Sequence, residues 1–87
     1  MKKVKKHTFN KVIYDIDMCG PMNGYCDHPR GRRPAIRITA EPYTKKELIS
    51  ILHETGHAED WAKSEEIVDR ISTEIGTFLW RLGYRRK

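Results

Sequence analysis

Two helix starts follow one another in the second half of the chain, at Thr44 and at Ser64, and they constrain the fold more than any other feature. At the first, Thr44-Lys45-Lys46-Glu47 reads as a capping box. The Thr44 hydroxyl accepts from the Glu47 amide, and the Glu47 carboxylate reaches back to the amide of Thr44. Tyr43 before the cap and Leu48 after it stand where a hydrophobic staple forms. Leu48, Ile51, Leu52 and Thr55 are expected to face a core, and the helix to run to about Ala62. At the second start, Ser64 is a good N-cap, and Glu65 and Glu66 occupy the first turn, where the helix dipole favours negative charge. Ile67, Ile71, Ile75, Phe78, Leu79 and Leu82 then recur at helical spacing, which predicts a core-facing stripe. Gly83 is placed to stop this helix, with Tyr84 beyond it packing on Leu79. Trp61 and Trp80 are expected to pack between the two helices.

The first half reads as strands and loop. "VKKHTF" and "VIYDID" flank Asn10-Lys11, which predicts a hairpin over residues 3 to 17. Val12, Tyr14 and Ile16 alternate with Ile13, Asp15 and Asp17, so one face is apolar. Residues 18 to 34, "MCGPMNGYCDHPRGRRP", form a long Gly- and Pro-rich loop, the kind that in a compact domain tends to carry function or disorder. "AIRIT", residues 35 to 39, reads as a short strand. The expected fold class is α+β: a small three-stranded antiparallel sheet packed with two helices. With 87 residues, one domain is expected over the whole span. A chain this short buries a small core, so a bound metal can contribute to folding as well as to chemistry.

Composition excludes several classes. No apolar run approaches the length of a membrane span. The basic start "MKKVKKHTF" has no apolar stretch behind it, so a secretory signal is not expected and the chain reads as cytoplasmic. Cys19 and Cys26 are then expected to be reduced thiols. The net charge is +5, concentrated at Lys2–Lys6, Arg30–Arg33 and Arg81–Lys87. Such clusters can meet nucleic acid, but Tyr84 is the sole aromatic residue within them, too little for a stacking platform, so solvated basic segments are the favoured reading.

The first helix carries "SILHETGHAEDW". His53 and His57 are four residues apart, on one face and about 6 Å apart in rise, so both imidazoles can converge on one ion. Glu54 follows the first histidine and leans toward the open position without ligating. That is where a general base must stand to take a proton from a water molecule activated by zinc. The pattern predicts a zinc site, one ion per chain, that hydrolyses peptide bonds with Glu54 as general base. A third ligand is required, and no histidine lies downstream. Asp60, Glu65 and Glu66 are available. Asp60 lies about 10 Å of rise beyond His53, so it is better suited to support His57 than to ligate. Glu65 and Glu66 open a new helix and can fold back beside the first.

With these residues the chain resembles the gluzincin metallopeptidases, in which a Glu from a following helix joins the two motif histidines and an Asp four residues later orients the first. In "EEIVD" the likeness implies Glu65 as the third ligand and Asp69 as the carboxylate behind His53. The spacer departs from that pattern: seven residues separate His57 from Glu65, far fewer than in the large gluzincins. Over nearly its whole length the chain looks like the minimal single-domain zinc metallopeptidases often encoded by bacteriophages and loosely called SprT-like. The matching pieces are "GYCDHP", "AIRI", "LISILHETGHAEDW" and "SEEIVDRISTEIGTFLWRLGYR". The likeness implies a zinc peptidase acting on a peptide or protein. A true SprT pattern has a third histidine, which is lacking here, so a role in DNA–protein crosslink repair is not implied. It also implies that the "AIRIT" strand borders the cleft and offers a free edge to an extended substrate.

Cys19, Cys26 and His28 share the long loop, one ligand short of a closed structural zinc site. Cys26 as an occupant of the open zinc position is a second role for it, and a small buried anchor for the loop is the favoured one. Tyr84, Tyr43 and Arg37 are available as donors to a developing oxyanion. Two rival functions stand beside the peptidase: a catalytically silent zinc-binding module, and a small basic nucleic-acid-binding protein in which the motif is accidental.

Overall fold

The computed structural model describes residues 4–18 and 25–85. The chain opens with the expected hairpin. β1 (Lys6–Phe9) pairs antiparallel with β2 (Val12–Asp17), with Phe9 opposite Val12. Asn10 and Lys11 make the turn with φ of 48° and 67°. Two positive φ values in a two-residue loop match the right-handed twist of the flanking strands. The Asn10 amide donates to Glu59 Oε1 at 2.9 Å, which ties the turn to the far end of the first helix. Tyr14 is fully buried, Val12 and Ile16 pack beside it, and Ile13 on the opposite face is exposed.

The sheet differs from expectation in two ways. It has four strands in the order β1-β2-β4-β3, and it is mixed rather than antiparallel. β4 (Ala35–Arg37) lies parallel to β2, with Ile36 beside Ile16. Asp15 donates its amide to Pro34 O at 3.0 Å, and Ile38 donates to Asp17 O at 2.8 Å, extending the ladder. A parallel neighbour needs a crossover of about a dozen residues or more. The long Gly- and Pro-rich segment between β2 and β4 supplies that length, whereas a hairpin connection cannot. Part of the segment forms β3 (Tyr25–Cys26), antiparallel to the other side of β4. β4 is therefore an interior strand, not the free edge expected for "AIRIT"; the outer strands are β1 and β3.

α1 (Lys45–Glu59) and α2 (Glu65–Leu82) pack on each other, and α1 also lies against the sheet. The Glu47 amide donates to Thr44 Oγ1 at 3.1 Å. The Glu47 carboxylate accepts from the Tyr43 amide at 3.1 Å, one residue earlier than a standard capping box, because Tyr43 sits at φ 65° and turns its N–H inward. α1 stops at Glu59, three residues before Ala62, because Asp60 leaves helical geometry at φ −146° and ψ 87°. Ser64 caps α2 by accepting from the Ile67 amide at 3.2 Å. Gly83 closes it at φ 97°, with Gly83 N donating to Trp80 O and Tyr84 N to Leu79 O.

The burial of α2 corrects the predicted stripe. Its buried residues are Val68, Ser72 and Gly76, while Ile67, Ile75, Phe78 and Leu82 are exposed. The reason is close helix packing: a Cβ at Gly76 would lie 2.6 Å from Ile49 Cγ1 and 3.3 Å from Ile49 Cα, and one at Gly56 would lie 3.2 Å from Val68 Cγ1. Small residues let the two backbones approach, and the large ones are turned outward. Gly76→Val is expected to destabilise the fold by about 1–3 kcal/mol through overpacking against Ile49, read as a lower denaturant midpoint.

The core is small: Tyr14, Ile36, Ile38 and Ala58 form its centre, with Phe9, Val12, Ile16, Met18, Cys26 and Ile51 packed around them. The Tyr14 hydroxyl is buried and finds no hydrogen-bond partner among the described residues. Burial also pushes its pKa up. A buried unpaired hydroxyl costs more than it returns. Tyr14→Phe is therefore expected to stabilise the protein by about 1 kcal/mol, measured by chemical denaturation.

Among the described residues, no helix is long and apolar enough to cross a membrane.

Candidate metal centre

α1 presents His53 and His57 on the face turned toward the start of α2. Their rings stand edge to face with centroids 4.9 Å apart, and their Nε2 atoms are 3.3 Å apart. Glu65, the first residue of α2, reaches both: Oε1 lies 2.6 Å from His53 Nε2, and Oε2 lies 2.8 Å from His57 Nε2. The turn at residues 60–64 folds α2 back onto α1 and creates this closure. Asp60 N donates to Gly56 O and Lys63 N to Asp60 O, each at 3.1 Å. Asp69, one turn further along α2, places Oδ1 3.5 Å from His53 Nδ1, within ion-pair reach though long for a hydrogen bond.

The separation of the two histidine nitrogens is the one a divalent ion requires, while the Glu65 oxygens stand at hydrogen-bond distance from them. Two ligand atoms bound at about 2.0–2.1 Å in tetrahedral geometry are separated by about 3.3–3.4 Å. The two Nε2 atoms have that separation. Asp69 stands behind His53 Nδ1, while His53 Nε2 and His57 Nε2 both face the Glu65 carboxylate. Contacts this short hold a proton or a metal ion between the heavy atoms. Among the described residues, His53, His57 and Glu65 are the group of His, Cys and acidic side chains placed to share one ion. Glu66 is exposed and outside this group, and Asp60 serves as the C-cap of α1.

Glu54 lies on the α1 face toward the sheet and is buried. Burial raises its pKa, the charges of His53 and His57 pull it down, and Glu65 raises it again, with a net upward shift. The carboxylate is thus more basic than an ordinary Glu while remaining on the wall of an open cavity. That cavity, of about 490 Å³, is lined by Cys26, His53, Glu54, His57, Trp61, Lys63 and Glu65.

Several residues stand elsewhere than the sequence led us to expect. Trp61 does not pack between the helices. It is exposed at the cavity rim, edge-on to His28 with centroids 5.0 Å apart, and 6.2 Å from the His57 ring. Lys63, which the sequence reading did not single out, also lines the cavity. None of the three proposed oxyanion donors does: Arg37 pairs with Asp17 at 3.1 Å, and Tyr43 and Tyr84 line a separate hollow beside Trp80. Trp80 lines that hollow with Leu48 and Ile51 of α1, and carries the Arg85 guanidinium 3.3 Å above its ring.

Cys26 reaches the cavity from β3, but burial, then the charges of Glu54 and Asp27, push its thiol up to about 12. Its thiol donates to Asp27 O at 3.5 Å and packs against the core, as an anchor for the loop does. Cys19 lies outside the described residues. His28 accepts from the Arg30 amide through Nδ1 at 3.0 Å. Arg33 pairs with Asp15 at 3.2 Å, so the basic loop is partly neutralised by the sheet beneath it. Comparison with protein-family profiles, with curated proteins and with solved structures finds no match for this chain.

Proposed function

We propose that the protein is a zinc-dependent peptidase, with His53, His57 and Glu65 holding the ion, Asp69 orienting His53, and Glu54 acting as general base. The observation that carries this reading is the convergence of His53 Nε2, His57 Nε2 and the two Glu65 oxygens, with contacts of 2.6 to 3.3 Å, beside a buried carboxylate on the same cavity wall. When bound, the ion supplies a Lewis acid that polarises a carbonyl and acidifies water. Glu54 takes the proton from the attacking water and delivers it to the leaving amine, as its place on the cavity wall beside His53 and His57 allows. Asp69 fixes the His53 ring so that Nε2 faces inward. Trp61 at the rim offers an apolar surface to a substrate side chain.

The test is digestion of an unfolded protein substrate, followed by mass spectrometry of the fragments. Cleavage that a chelator abolishes and added zinc restores is the expected result. Stoichiometric zinc without cleavage of any unfolded substrate would leave a binding module in place of an enzyme.

A further inference from the structure

Hydrolysis of a peptide bond puts a negative charge on the carbonyl oxygen. The water oxygen bonds to the carbonyl carbon, the C=O π pair moves onto the carbonyl oxygen, and a proton passes to Glu54. The pair then returns, the C–N bond breaks, and the nitrogen takes the proton from Glu54. A donor held where that oxygen becomes negative stabilises the transition state, and removing one such donor typically costs about 10²–10³-fold in kcat. Arg37, Tyr43 and Tyr84 do not line the cavity, so none of them is placed to supply it.

The residues that do line it narrow the choice. His53, His57 and Glu65 are committed to the ion, and Glu54 to the proton. The Cys26 thiol is turned to Asp27 O at 3.5 Å. Trp61 and Lys63 remain. Trp61 is a neutral donor with one N–H, standing edge-on to His28 at the rim. Lys63 is a cation, and charge-assisted hydrogen bonds are about twice as strong as neutral ones. Among the described residues its ammonium enters no ion pair.

The turn between the helices explains why a lysine stands there. Lys63 N donates to Asp60 O at 3.1 Å, closing the turn that returns the chain to α1. Ser64 follows as the cap of α2, and Glu65 is the next residue. The turn that carries Glu65 to the histidines thus carries Lys63 to the same cavity wall. Lys63 also lines the apolar groove with Phe9 and Val68, as a long side chain does that lays its stem on apolar surface and keeps its charged end in the open.

We propose that Lys63 is the electrophilic catalytic residue of this site: its ammonium donates to the carbonyl oxygen as that oxygen becomes negative. This role rests on the peptidase activity proposed above. The ammonium meets a charge that exists only in the transition state, so it acts on kcat rather than on KM.

The test uses the zinc-loaded full chain, a peptide spanning a cleavage site mapped in the unfolded substrate, and the same peptide with a phosphonamidate in place of the scissile amide. The phosphonamidate carries a tetrahedral anion where the amide has a neutral carbonyl. Lys63→Met keeps the stem and removes the charge. It is expected to lower kcat by about 10²–10³-fold with KM unchanged. Its dissociation constant for the phosphonamidate is expected to rise at least about tenfold. The thermal shift produced by zinc is expected to stay as in wild type, which shows that the fold and the metal site are intact. Lys63→Arg is expected to recover part of both losses, since a guanidinium also donates to an oxyanion. A Lys63→Met enzyme with wild-type kcat and phosphonamidate affinity would overturn the proposal and leave the oxyanion to the ion and Trp61. So would a loss confined to KM, which would make Lys63 a binding residue for carboxylates of the substrate. A wild-type chain that takes up zinc and cleaves nothing fails at the peptidase activity itself, and this role with it; an active wild type beside a fully active Lys63→Met fails at Lys63 alone.

Discussion

Zinc added to metal-free protein is expected to raise its midpoint of thermal unfolding by about 10–20 °C. A ligand that binds only the folded state at about a hundred times its dissociation constant adds about 2.7 kcal/mol. In a domain of this size each kcal/mol moves the midpoint by about 4–8 °C. The effect is large here because the core is small and because α1 and α2 meet at the ligand cluster. In the absence of metal, protons shared between Glu65 and the two imidazoles hold contacts of 2.6 and 2.8 Å across the helix pair. A bound ion would replace those exposed contacts with metal–ligand bonds between the end of α1 and the start of α2. His53→Ala and Glu65→Ala are each expected to abolish the zinc-dependent shift. Glu66→Ala, one residue away and outside the cluster, is expected to leave it unchanged. Differential scanning calorimetry with and without zinc reads all four proteins. A shift equally large in Glu65→Ala would remove Glu65 from the site.

Glu54→Gln is expected to keep the zinc-dependent shift and to lose turnover by at least about 10²–10⁴-fold, the usual contribution of a positioned general base. Gln preserves the shape and the hydrogen-bonding oxygen but cannot take a proton. The same variant reports on the buried charge. Burial raises the Glu54 pKa in the folded, metal-free protein above its value in the unfolded chain. The folded state therefore holds this proton more tightly, and the associated stability is present at acid pH and lost as pH rises through the unfolded and then the folded pKa. At neutral pH wild type carries a buried, partly compensated charge that the Gln variant lacks. Without metal, Glu54→Gln is expected to be more stable than wild type at pH 7 and to converge with it below the ordinary carboxylate range. Urea titration at the two pH values checks this. Equal stability at both would show that Glu54 is well solvated, and would take away the physical basis of its enhanced basicity.

Local chemistry was legible in the sequence wherever one or two residues decide the outcome. Thr44, Ser64 and Gly83 marked the helix ends, and Asn10-Lys11 marked the hairpin turn. The α+β class followed from the same signals. The histidine spacing placed two rings on one face, and the carboxylates Glu65 and Asp69 stand against them. What was not legible depends on tertiary packing. The Ile and Leu spacing of α2 identifies an apolar face but not which neighbour covers it. Ser72 and Gly76 gave no hydrophobic signal, yet they take the inner position because Ile49 approaches so closely. The direction of β4 is likewise absent from "AIRIT" itself. It is set by the length of the preceding segment, which permits a crossover to β2 and lets Tyr25–Cys26 occupy the edge that the strand alone would have left free. Trp61 was misplaced because α1 ends at Glu59, so the helical spacing that would bury it no longer applies.

The central claim is that one zinc ion joins α1 to α2. The most direct measurement is anomalous diffraction at the zinc edge from crystals of the zinc-loaded protein. The account predicts one peak per chain, about 2.0–2.2 Å from His53 Nε2, His57 Nε2 and a Glu65 oxygen. A chain with no peak there, or with zinc held by other side chains, would contradict it.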